Sequence, residues 1–272
     1  MKAWSGGRAF VYIALCGYLV VMALPFLWLI ASSLKTVTEM FSNPFALPVA
    51  PQWGNFVEAW QTGIARYLLN SLLVTALSVA AIVIVSGFAA YALARGRFPG
   101  QAGFYILLVT AYAIPIHTVL VPLYELLRSA NMLNSYIGLI LPYVAFGIPF
   151  SVLLLYAFFS DFPQELEEAA RLDGCNEWQL VAYIVAPLSL PGLSSVAIFQ
   201  GVFVWNEFLL ALMIVSDDQL KTLPFGLIGF QGQYASNWPL LLAAVTMATL
   251  PLLLLYATLQ RQFVNSLTGL GK

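Results

Sequence analysis

The chain has 272 residues, 61% of them hydrophobic and 8% charged, with a net charge of −1 and a mean hydropathy of +0.87. A soluble domain carries about 25% charged residues, so 12 acidic and 11 basic side chains cannot cover a water-facing surface of this size, and the exterior is expected to face lipid. The near-neutral balance and the absence of a basic run exclude nucleic-acid binding, while Cys16 and Cys175 offer neither a metal spacing nor a disulfide framework.

A segment crossing hydrocarbon must satisfy its own backbone polar groups, which takes about 20 apolar residues in helical form. The expected fold is therefore an all-α integral membrane protein with one transmembrane domain, residues 1–272, and six spans at about 10–32, 68–94, 104–127, 136–159, 193–215 and 238–260. The first apolar run continues through Leu24, Pro25, Phe26 and Trp28 with no small-residue cleavage site, so it reads as a retained span rather than a signal peptide. Pro25, Pro115, Pro142, Pro149 and Pro251 predict kinks, tolerable where neighbouring helices shield the freed carbonyls. The third span, with Pro115 and Pro122, is the weakest rod, and a re-entrant path is its alternative.

Placing both termini in the cytoplasm puts Lys2, Arg8, Arg95, Arg97, Arg171, Arg261 and Lys272 inside and leaves Lys35, Arg66, Arg128 and Lys221 outside. The positive-inside tendency favours that orientation, which also keeps the short Arg95-Gly96-Arg97 turn cytoplasmic. The outer segments then include a loop of Pro, Trp and Asn from Lys35 to Arg66 and a second from Ser216 to Asn237.

Between the fourth and fifth spans, residues 160–192 hold half of the acidic side chains. Pro163 suits a first helical position, and Glu165, Glu167 and Glu168 favour the positive end of a helix dipole. Gly174 can adopt positive φ and stop that helix, and Asn176 with Gln179 reads as a capping box starting a second. Glu165, Glu168, Ala169 and Leu172 recur at i, i+3, i+4 and i+7, placing carboxylates and small apolar groups on one face, with Ala169 and Ala170 admitting a close partner. Periodicity alone leaves open a bland alternative, a solvated helix lying on the headgroups.

The string Glu168-Ala169-Ala170, then Gly174, Ile184 and Pro187, resembles the EAA loop of ABC importer permeases, with Ala186 standing where that family usually has Leu. Ser33-Leu34-Lys35, Trp205-Asn206-Glu207-Phe208 and the tail Gln260 to Gly269 extend the resemblance to the second permease subunit of maltose-type carbohydrate importers. The resemblance implies a type I ABC importer permease fold in an inner membrane, with a cytoplasmic coupling helix around Glu168, Ala169, Ala170, Leu172, Asp173 and Gly174 seated in an ATPase. It further implies that Arg261, Phe263 and Thr268 in the tail reach the ATPase interface. The implied partners are a second permease subunit, two copies of a cytoplasmic ATPase carrying ATP and Mg, an extracytoplasmic solute-binding protein, membrane lipid and a sugar-like substrate.

The residues themselves agree with this division of labour. No Gly-x-x-x-x-Gly-Lys-Ser/Thr occurs, and Gly269-Leu-Gly-Lys272 lacks the hydroxyl residue and the first glycine, so hydrolysis is expected on another chain. No cofactor or catalytic residue is expected here. Glu207, near the middle of the fifth span, must face a cavity or partner, and with Asn206 and Gln200 it reads either as pathway lining or as glue between helices. Tyr112, His117 and Glu125 make a poor proton relay, yet an ion- or proton-coupled secondary transporter is the alternative reading.

Overall fold

The computed structural model describes residues 6–233 and 237–269, with side chains over 10–229 and 237–254. The helices are α1 (Gly6–Ser33), α2 (Val37–Ser42), α3 (Gly54–Ala59), α4 (Ala65–Arg95), α5 (Gln101–Ala113), α6 (Leu120–Ser129), α7 (Tyr136–Ser160), α8 (Gln164–Leu172), α9 (Glu177–Leu180), α10 (Ala186–Leu188), α11 (Leu190–Asn206), α12 (Leu209–Ile214), α13 (Leu223–Gln233) and α14 (Trp238–Gly269). No strand occurs among the described residues. Phe10–Ser33, Gly54–Arg95 and Tyr136–Ser160 are each long and apolar enough to cross a membrane, and two bent pairs add up to two more.

The chain forms two compact units. In the unit built from residues up to 65 and 226–251, the end of α1 is fastened to the loop that follows it. Lys35 is 1% exposed, and its ammonium donates to the carbonyls of Asn43 at 3.1 Å and Pro44 at 2.7 Å. Asn55 donates to the carbonyls of Ser33 and Lys35, which fastens the start of α3 to the same corner. A capping box between Thr36 and Glu39 starts α2, and the Thr36 backbone N–H holds the Glu39 carboxyl below the usual carboxylate range.

The larger unit, 66–225 with 252–272, is organised around α7. One apolar cluster gathers Ile82, Ala90 and Leu93 of α4, Val152, Leu155 and Phe159 of α7, Ala170 of α8 and Val196 of α11. A second gathers Val74 of α4, Leu139 and Tyr143 of α7, Val204 of α11 and Leu210 and Ile214 of α12. Small residues on α7 leave room for neighbouring side chains: a Cβ on Gly147 would fall 2.5 Å from the end of Ile82 of α4. At the first turn of α7, a Cβ on Gly138 would fall 2.1 Å from the backbone carbonyl oxygen of Met132. Gly138→Ala is therefore expected to destabilise this unit by about 3 kcal/mol, measured as a lowered unfolding midpoint of the detergent-solubilised chain.

The end of this unit carrying the start of α4 is closed by side-chain amides. Asn70 donates to the carbonyls of Gln219 at 2.7 Å and Lys221 at 2.9 Å and accepts from the Tyr136 hydroxyl. The backbone N–H of Leu223 donates to Ser71 at 2.7 Å, and the Asn134 side chain accepts from the N–H groups of Ser216 and Asp217.

Two expected rods are interrupted. In place of a continuous helix over 104–127, α5 ends at Ala113 and the chain turns through 88° into the segment Ile116–Ser129. Pro115 explains the break, since it has no N–H to donate and restricts Ile114, which adopts an extended ψ of 117°. The stretch expected as a span over 193–215 breaks at Glu207 and Phe208, where no proline stands. Ahead of that stretch the chain bends by 70° between Leu188 and Leu190.

Candidate functional site: a helical knob and a polar seam

The loop after α7 folds as two short helices around a glycine. Pro163 caps α8 with ψ at 120° rather than occupying its first turn, one position from the expected place. At the other end Gly174 has φ +88°. Its N–H donates to the Arg171 carbonyl, and Cys175 N–H donates to Ala170, the paired bonds of a Schellman stop. Both hydrogen bonds of the Asn176–Gln179 capping box are present at the start of α9.

The expected face of α8 points outward. Glu165, Glu168, Ala169 and Leu172 are all exposed, Leu172 at 89%. Asp173 and Gly174 are exposed beyond them. Ala170 corrects the expectation that both alanines admit a partner: one residue, or about 100° around the helix, separates it from Ala169, and it is buried in the unit's own core.

The inward face carries a residue that sequence reasoning passed over. Glu167 is 2% exposed, and its carboxylate accepts from Arg95 Nε at 2.7 Å and from the Tyr91 hydroxyl at 3.0 Å. Arg95 also donates through Nη2 to the Phe162 carbonyl at 2.7 Å. Arg171 lies 3.9 Å from the other Glu167 oxygen and donates to Glu177, so α4, α8 and α9 share one charge network. The Arg171 guanidinium holds Glu177 below the usual carboxylate range. That exposed bridge is therefore present above the ordinary carboxylate pKa and is lost as pH falls through the lowered one. A polar cavity of about 370 Å³ opens beside the network, lined by Arg95, Arg97, Gln101, Gln164, Glu168 and Arg171 among others.

The three polar residues expected along the pathway separate into different roles. Gln200, 4% exposed, donates to the Gly147 carbonyl at 3.2 Å and to the Ser151 hydroxyl at 3.0 Å, joining α11 to α7. Glu207 sits at the break between α11 and α12, where it accepts from the Leu210 N–H at 2.9 Å and from the Tyr143 hydroxyl at 2.8 Å. Asn206 is exposed, and its amide donates back to Val202 of its own helix. Gln200 also borders an apolar cavity of about 620 Å³ with Tyr112, His117, Phe150, Phe199 and Phe203. Arg261, Phe263 and Thr268 belong to the helical run of α14, but their side chains lie outside the described residues.

Residues 83–269, which include both the knob and the seam, match the family described as binding-protein-dependent transport system inner membrane component. The chain belongs to this family. It is 36% identical to the probable ABC transporter permease protein YurM of Bacillus subtilis over 98% of this chain and 89% of that one. The sulfoquinovosyl glycerol transport system permease protein SmoH of Agrobacterium fabrum is also 36% identical, over 100% and 96% of the two chains. A chain from the crystal structure of a bacterial ABC transporter involved in the import of the acidic polysaccharide alginate has the same fold, with a TM-score of 0.83 at 20% identity over 97% of this chain and 100% of that one. The molecule is thus a multi-pass inner-membrane permease subunit of an ABC transporter, a transport component whose ATPase is a separate chain, and it has the type I importer permease fold.

Proposed function

We propose that this permease subunit imports a carbohydrate or related hydroxyl-rich solute by alternating access, forming half of the pathway beside a second permease subunit. Its six spans place both termini in the cytoplasm, an extracytoplasmic binding protein delivers the solute, and two copies of a cytoplasmic ATPase carry ATP and Mg. The ATPase grips the loop around Glu168 and Gly174, and the tail residues Arg261, Phe263 and Thr268 approach the same partner.

The observation that carries this reading is the two-sided construction of α8. A nine-residue helix is anchored inward by a buried carboxylate and presents an apolar side chain, Leu172, almost wholly to water, an arrangement that suits a partner's cleft. ATP binding on one protein opens a path in another only through a contact whose energy differs between the two states, and a stiff knob with a fixed glycine stop provides one. The carbohydrate assignment draws support from relatives whose names specify sulfoquinovosyl glycerol and alginate. Proteoliposomes holding the assembled complex test the reading: uptake of a carbohydrate is expected to require both ATP and the binding protein, and uptake driven by a proton gradient without the ATPase would overturn it.

A further inference from the structure

We infer that Glu167 and Arg95 are positioning residues that transmit movement of α8 to the transmembrane helix α4, an inference that rests on the coupling reading above. The two faces of α8 carry adjacent carboxylates with opposite tasks. Glu168 points into solvent, whereas Glu167 is turned into the protein and meets Tyr91 and Arg95 on the last turns of α4. The charged and polar groups around it are those two, Arg171 on its own helix and Glu177 beyond.

The covalent connections of α8 do not serve this purpose equally well. Toward α11 the main chain reverses at the Gly174 stop and bends by 70° before Leu190, so this connection does not run straight from α8 into a transmembrane helix. Ala170 adds an apolar contact to the core, but such contacts have no preferred direction. The Arg95 guanidinium instead forms a directional fork, with Nε on Glu167 and Nη2 on the Phe162 carbonyl, both at 2.7 Å. It thereby fixes α8 and the last residues after α7 against one point of α4. With side-chain exposures of 12% and 2%, against 44% and 68% for the Arg171–Glu177 bridge, the pair is the less screened of the two even though it borders the polar cavity.

The test is solute moved per ATP hydrolysed by the complete complex in proteoliposomes. Glu167→Gln and Arg95→Gln are expected to retain the ATPase yet lower that ratio by about fivefold or more. The double variant Arg95→Gln/Glu167→Gln is expected to lose less than the two single losses combined, because it leaves no buried charge unpaired. A merely structural pair would reduce the amount of assembled complex without changing the ratio, and an unchanged ratio in either single variant overturns the inference. If both fail to accumulate, Arg95→Lys, which keeps the charge and loses the fork, is read in the same way: a lowered ratio supports the strut and a full ratio overturns it. Glu168→Arg in the same preparation separates the two levels. Normal transport by that variant removes the coupling reading itself, whereas its failure alongside normal Glu167 and Arg95 variants removes only the strut.

Discussion

Glu168→Arg is expected to abolish solute-stimulated ATP turnover while the chain still inserts and α8 still folds. The side chain points to solvent, so the substitution breaks no described contact within this subunit; its effect falls on the surface proposed to meet the ATPase. Gly174→Arg should have the same outcome by a different route. Nothing lies within 4 Å of a Cβ built at this glycine, but φ of +88° costs a residue with a side chain about 1–2 kcal/mol, and relief of that strain re-aims α9 relative to α8. Leu172→Asp completes the series, because an apolar side chain 89% exposed in the free subunit contributes about 1.5–3 kcal/mol when a partner covers it. Co-purification of the ATPase and its turnover with loaded binding protein measure all three, and full turnover in Glu168→Arg would by itself remove the coupling role from this loop.

The second large effect is expected at Glu207. Glu207→Ala strips the acceptor from the Tyr143 hydroxyl and from the Leu210 N–H in the first turn of α12. Tyr143 is 1% exposed and has no water to turn to, and each buried donor left unpaired costs about 1–3 kcal/mol. The break between α11 and α12 should then lose its definition, with a loss of about 3–5 kcal/mol in unfolding free energy and little transport remaining. Glu207→Gln keeps an acceptor in place and should retain most of the stability. Unfolding midpoints that are equal in the Ala and Gln variants would show that the carboxylate does not support the break.

These two sites also show how far sequence reasoning reaches. The knob was legible because its instructions are local: a proline, a glycine, a capping pair and a run of acids lie within about one loop. Glu167 was not legible, because nothing local distinguishes it from Glu165 or Glu168 as the acid that turns inward. That choice is made by Arg95, 72 positions upstream, which sequence reading used only to orient the chain. The bend after Ala113 was foreshadowed by Pro115, whereas the break at Glu207 had no proline to announce it. There the polar side chain itself creates an ending and a new beginning, helped by a tyrosine 64 residues away. Gln200 and Glu207 are occupied in joining α11 and α12 to α7, while Asn206 bonds within its own helix.

The amide clasp at Asn70 sets an order of assembly. Its two acceptor carbonyls belong to residues 149 and 151 positions later, and the N–H that Ser71 receives comes 152 positions later. A chain threading into the bilayer as the ribosome makes it must therefore hold the mouth of α4 open, hydrated and exchangeable, until Leu223 has emerged. Only then does that end latch, so a polypeptide released before this point would carry the apolar helices of a permease with one end unlocked, a ready substrate for membrane quality control.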